Sequence, residues 1–141
     1  MAELQITLIP HWEVKHVWDK VSRMLKLATD QSQGRYNLSD VKAKLEANEF
    51  QLWVIFEEPF EVVAAVTSSF ATYPQCHCLC GQFLGGDRMD EWKDKFCVLF
   101  DSWGRDNKCD IVEFTGRAGW GKVLAPNGYR EVFRTYQRDL K

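Results

Sequence analysis

Three cysteines and a histidine crowd into one short segment of this chain, at Cys76, His77, Cys78 and Cys80. Thiolate and imidazole are the ligands zinc prefers, but a structural zinc site needs four of them converging on a tetrahedron, usually from paired elements. No CxxC or HxxxH pair accompanies them, and the remaining cysteines, Cys97 and Cys109, are isolated. A strand would place Cys76, Cys78 and Cys80 on one face and His77 and Leu79 on the other. The expected role is therefore a row of small apolar thiols rather than a metal centre. A second chemical candidate is Glu113, a carboxylate inside the apolar run Ile111-Val112-Glu113-Phe114, where glutamate is depleted. It shares a strand face with Ile111 and Thr115 and precedes Arg117 by four positions, so an ion pair between Glu113 and Arg117 is the simplest expectation. His11 and His16 bracket the start of a helical pattern and read as surface residues.

Composition bounds what these residues can serve. The chain has 141 residues with a 45% apolar fraction, enough for one domain (residues 1–141) with a substantial core. Eighteen Lys and Arg against 20 Asp and Glu leave a net charge of −2, which gives no general reason to bind nucleic acid or an acidic membrane. No apolar run approaches the roughly 18–20 residues that span a bilayer. Residues 1–16 lack a basic stretch followed by a long apolar one, so no secretory leader is expected. With five cysteines, an odd number, free thiols in a reducing cytoplasm are expected. The aromatic content is high, with six Trp and nine Phe.

The elements that must position these side chains follow from periodicity. Residues 4–9 alternate and end at Pro10, which predicts a strand. Val14, Val17, Trp18, Val21, Met24, Leu25 and Ala28 then recur on one helical face. A polar loop leads to a short helix capped at Asn37 or Ser39. Residues 52–56, 62–70 and 76–84 read as three strands, with turns at Glu57-Glu58-Pro59 and Pro74. Asp87 is the expected cap of a long helix carrying Trp92, Phe96, Leu99, Phe100 and Trp103 on one stripe. Residues 111–114 form a strand and residues 116–127 hold a brief helix. Residues 129–140 fit a helical stripe or a strand; their Val, Phe, Thr and Tyr residues make strand the expectation. The order β-α-α-β-β-β-α-β-α-β implies an α/β fold with a mixed, mostly antiparallel sheet covered on both faces.

That order, together with the strand–glycine turn–long helix of residues 75–104 and the closing VEFTGRAGWGKVLAPNGYREVF, resembles the Gcn5-related N-acetyltransferase (GNAT) family over nearly the whole chain. Gly128-Tyr129 sits where the family usually has Gly-Phe. The run Gly-Arg-x-Gly-Trp at Gly116 to Trp120 is similar to one in short GNAT-like proteins of tailed bacteriophages. The resemblance implies a transferase that moves an acetyl group from acetyl-CoA to an amine of a small molecule or protein. It implies that two parallel strands splay apart around the cofactor and that a glycine turn holds its pyrophosphate at a helix N-terminus. Carried onto this chain, the cofactor-binding residues are Gln82, Leu84, Gly85, Gly86, Arg88 and Arg117. The catalytic candidates are Glu113 as general base and Tyr129 as a hydroxyl donor. The segment Gln82-Phe83-Leu84-Gly85-Gly86-Asp87 keeps the family's Gln and first Gly but ends on Asp87; Leu124 stands where the family usually has Tyr, and Arg117 where it has Asn.

Residues 114–141 carry Arg117, Lys122, Arg130, Arg134, Arg138 and Lys141 against Glu131 and Asp139, a local net of +4, so the remainder carries −6. Such a basic C-terminal face meets the 3′-phosphate of coenzyme A, an acidic protein partner, or solvent alone. The acidic remainder speaks against nucleic acid. A protein of the cytoplasm, or of a host cytoplasm or virion if phage-encoded, is expected. The alternative to the enzyme is a GNAT-like scaffold without catalysis that binds a host or virion protein. The Trp and Phe residues on inward stripes read as core, leaving Trp120, beside Arg117, as the aromatic with a possible role at a site.

Overall fold

The computed structural model describes residues 3–141. Strand β1 (Gln5–Ile9) ends at Pro10, whose missing N–H cannot continue a ladder. A single 3-10 turn over His11–Glu13 then opens α1 (Val14–Asp30), which buries Val14, Val21, Leu25 and Thr29 at helical spacing. Helix α2 (Leu38–Glu46) starts in a capping box: Asn37 accepts the Asp40 N–H and the Asp40 carboxylate accepts the Asn37 N–H. Strands β2 (Gln51–Glu57), β3 (Glu61–Thr72) and β4 (His77–Gly86) form a meander. Helix α3 (Met89–Asp106) crosses over to β5 (Ile111–Phe114), and α4 (Trp120–Leu124) with a 3-10 turn at Ala125–Asn127 follows.

The sheet runs β1-β2-β3-β4-β5. Adjacent strands are antiparallel except β4 and β5, which the α3 crossover makes parallel. Helices α1 and α2 cover one face over Leu52, Val54, Ala65 and Phe83. Helix α3 covers the other over Trp53, Ile55, Val66 and Leu79, with Trp92, Phe96 and Phe100 inserted between. Trp53 sits edge-on to Phe96, Phe100 and Trp103 at 5.8, 5.7 and 5.3 Å, an arrangement that places ring edges against ring faces. No helix among the described residues is long and apolar enough to cross a membrane.

Three expectations are corrected. Asp87 does not cap α3: the cap residue is Arg88, left-handed at φ 59°, and α3 has no side-chain cap. The Asp87 N–H instead bonds the Val63 carbonyl and extends the β3–β4 pairing by one residue. Residues 129–141 form neither strand nor helix. The chain turns at Gly128 (φ 89°) and never reaches the free side of β5, so its strand-forming residues find no ladder. Finally, β4 begins at His77, leaving Cys76 in the preceding turn, where it exchanges backbone hydrogen bonds with Tyr73.

Candidate functional site

Where β4 leaves β5, the sequence places both a bulge and a small residue. Residues 78–81 pair with residues 111–114, and the Thr115 N–H donates a last bond to the Gly81 carbonyl at 3.3 Å. Beyond it β4 continues to Gly86 without a strand neighbour on that side among the described residues, so the two parallel strands part. Gly81 permits this junction because the Phe114 ring occupies the space a β-carbon would need. On the other edge of β4 the register shifts, with Val66 opposite Leu84 but Ser68 opposite Gly81. Gln82 and Phe83 thus share the single partner Thr67, and the extra N–H, that of Phe83, is satisfied by the buried Thr67 hydroxyl at 3.1 Å.

The bulge sets which side chains meet at the fork. Phe83 enters the core under α1, and Gln82 lies beside it on the same face, donating to the Ser69 hydroxyl at 2.8 Å. The Gln82 side-chain amide oxygen is buried with no hydrogen-bond partner among the described residues. Glu113, opposite Cys80 in the β4–β5 register, accepts the Cys80 thiol at 3.4 Å. Burial first, then this hydrogen bond and the glutamate's charge, push the Cys80 thiol up to about 12, so it stays protonated. The expected Glu113–Arg117 ion pair does not form; Glu113 faces no cation among the described residues. Its charge also raises the nearby Tyr73 phenol. Cys78 is buried, with its thiol driven up to about 11 chiefly by burial, and its sulfur lies 3.7 Å from that of Cys76. Among the described residues no group of three or more His, Cys, Asp or Glu is arranged to hold a metal ion.

The glycine turn is shaped by packing. A β-carbon on Gly85 would enter the Met24 carbonyl of α1, and one on Gly86 (φ 129°) would strike Val63 and Ala64 of β3. Leu84 faces the α3 core. Arg88 is bound by Glu57 and, bidentately, by Glu91 at 2.7 and 2.9 Å, which raises its pKa and lowers that of Glu91. Arg117 and Arg130 are exposed, and Trp120 packs against Gly116.

Tyr129 lies on the α3 face, edge-on to Phe114 at 5.5 Å, with its hydroxyl buried and without a partner among the described residues. Burial, Cys97 and Asp101 raise its pKa, so it too stays protonated. Because side chains alternate along β5, Glu113 and Tyr129 flank the sheet from opposite faces. The structure therefore gathers Glu113, Cys80, Gln82 and Ser69 on one side of the fork. Cys80 and Ser69 were not among the predicted site residues: the signal was only their phase on β4 and β3, and the pairing needed the register.

No family model matches the chain, and no curated protein matches it. Solved structures do. A probable acetyltransferase superposes with a TM-score of 0.72 at 10% identity, covering 97% of this chain and 98% of that one. The aminoglycoside N-acetyltransferase AAC(6')-Iy, determined in complex with CoA, gives 0.70 at 12% identity over 100% and 97%. A GNAT family acetyltransferase from Staphylococcus aureus gives 0.64 at 10% over 99% and 100%. The chain thus has the GNAT fold, a mixed α/β sheet with helices on both faces.

Proposed function

We propose that this chain is an N-acetyltransferase that moves an acetyl group from acetyl-CoA to an amine. The observation that carries the reading is the parting of β4 from β5 after Gly81, with an ion-pair-free carboxylate, Glu113, at the fork. The residues present fit the cofactor through their backbone. The first turn of α3 has no side-chain cap, which leaves its N–H groups and helix dipole for a diphosphate beside Gly85, Gly86 and Arg88. When bound, acetyl-CoA supplies the thioester that an amine attacks. Gln82 offers its side-chain amide oxygen to an amine N–H, and Glu113 takes the proton that the amine loses. Cys80 holds the Glu113 carboxylate in place and, being protonated, does not compete as a base. With the cofactor bound, exposed Arg117 would be the cation for its 3′-phosphate, Leu84 would border the fork from the α3 side, and Tyr129 would be the hydroxyl available to the leaving thiolate from that same side. The acceptor is a small amine or a protein lysine; two solved structures of this fold are of aminoglycoside acetyltransferases.

A specific observation favours a second reading, a binding scaffold without catalysis. Arg88, the cation of the turn, is already neutralised by Glu57 and Glu91, and both glycines are explained by contacts inside the protein. Isothermal calorimetry with acetyl-CoA separates the two. The enzyme reading expects saturable heat at sub-millimolar cofactor. It further expects a Glu113→Gln variant that still binds but transfers acetyl groups about 10²–10⁴ times more slowly. No heat at millimolar cofactor overturns it in favour of the scaffold.

A further inference from the structure

Among the five cysteines, Cys76 and Cys78 are the pair whose sulfurs meet, 3.7 Å apart; Cys80 is engaged with Glu113, and Cys109 packs in the layer under α3. The two thiols differ in setting. Cys78 is 1% exposed on β4, fixed by its register with Ala71 of β3 and Ile111 of β5. Cys76 is half-buried in the turn before β4, tied through its backbone to Tyr73 at 2.8 and 3.3 Å. His77 between them is pinned on the opposite face. Its ring stacks on Phe70 at 5.4 Å and meets the Thr72 hydroxyl at 2.8 Å, and its N–H donates to the Asp110 carboxylate at 3.0 Å. A disulfide needs sulfurs about 2.05 Å apart. Closing the gap therefore falls to the side chain of Cys76, while β4 and His77 stay in place.

We propose that Cys76 and Cys78 are a redox site that a peroxide converts from dithiol to intrachain disulfide, whether or not the chain transfers acetyl groups. Cys76, the more accessible sulfur, attacks as its thiolate. Its sulfur bonds one peroxide oxygen as the O–O bond breaks, which leaves Cys76 as a sulfenic acid. The other oxygen departs as hydroxide and takes up the proton that the thiol has lost, forming water. The Cys78 sulfur then attacks the Cys76 sulfur. The S–S bond forms as the S–O bond breaks, and the hydroxyl leaves with the Cys78 proton as a second water. Two thiols thus lose two electrons and the peroxide gains them. Burial, followed by the hydrogen bond and charge of Cys76, drives the Cys78 thiol up to about 11, so it does not react first and serves as the resolving partner. The bridge ties the β3–β4 turn to β4 beside Tyr73, whose phenol is already raised by the Glu113 charge. It also lies next to Cys80 on the same strand face, the thiol bonded to Glu113.

Hydrogen peroxide added to the folded full-length protein tests this, followed by alkylation in denaturant and peptide mass spectrometry. Cys76 and Cys78 should be protected together, as a bridge within one chain that dithiothreitol reverses, while Cys80, Cys97 and Cys109 are alkylated. Cys78→Ser keeps the accessible sulfur and removes its partner. Its Cys76 should therefore give several-fold more dimedone adduct of the sulfenic acid than the wild type. Cys76→Ser should leave Cys78 reduced. Wild-type Cys76 that stops at sulfenic or sulfinic acid beside a reduced Cys78 overturns the proposal. So does a bridge from Cys76 to another cysteine or to a second chain, or a pair that excess peroxide leaves untouched. Oxidation of Cys78 at the same rate in Cys76→Ser overturns it too. The wild-type thiol pattern decides even if a variant fails to fold, and none of these readouts involves acetyl-CoA.

Discussion

The Cys80–Glu113 contact joins a thiol and a carboxylate whose properties depend on each other. Burial and the carboxylate together hold the thiol well above its ordinary value of 9.0, at about 12. A thiol whose folded pKa is raised adds stability that is fully present below about pH 9 and is lost as pH climbs toward about 12. Glu113→Gln removes the negative charge and leaves only a neutral amide acceptor, with the burial unchanged, so the Cys80 pKa falls. Alkylation of Cys80 by iodoacetamide at about pH 9, followed by peptide mass spectrometry, should be several-fold faster in the variant because the thiolate is the nucleophile. Equal rates would show that burial alone protects the sulfur. Of this pair the sequence made legible the common strand face of Cys78 and Cys80 and the oddity of a glutamate in an apolar strand. That Glu113 meets Cys80 rather than Arg117 depends on a parallel register between segments 33 residues apart, which periodicity along the chain cannot reveal.

At the level of elements, the glycine turn shows how one residue type can answer two different demands. Gly85 is read from sequence as a place where phosphate approaches the backbone, yet the structure fills its α1-facing side with the Met24 carbonyl. Gly85→Ala should therefore cost about 1–3 kcal/mol through overpacking of α1 on β4. Gly119→Ala, which meets open space at φ −60°, should change stability by less than about 0.5 kcal/mol. Urea denaturation of both variants checks this; equal midpoints would mean that α1 shifts freely. The position of α3's start also depends on tertiary pairing. Asp87 has the chemistry of a cap, but β3 captures its N–H through the Val63 carbonyl and so postpones the helix to Arg88.

For the whole molecule, stability rests on two apolar layers of different make-up. The layer under α3 is aromatic, and Phe100 lies at its centre, fully buried and stacked on Phe96 and Phe114 at 5.0 and 5.3 Å. Phe100→Ala should destabilise the fold by about 3–5 kcal/mol, read as a lower denaturant midpoint at unchanged slope. A loss below about 1 kcal/mol would mean that the layer collapses around the cavity. The layer under α1 and α2 is mainly aliphatic, built from Val14, Val21, Leu25, Val41 and Leu45.

The scaffold was legible in the chain itself: the strand and helix order through α4, the inward stripes and the mixed sheet. These depend on local periodicity and on burying apolar faces, both written in neighbouring residues. The contents of the fork came from long-range packing. The bulge at Gln82 and Phe83, the thiol on Glu113, the clamp on Arg88 and the unpaired tail each depend on which strand edge, charge or carbonyl arrives from a distant segment. The high aromatic content belongs to the first kind of information, and the chemistry beside Gly81 belongs to the second.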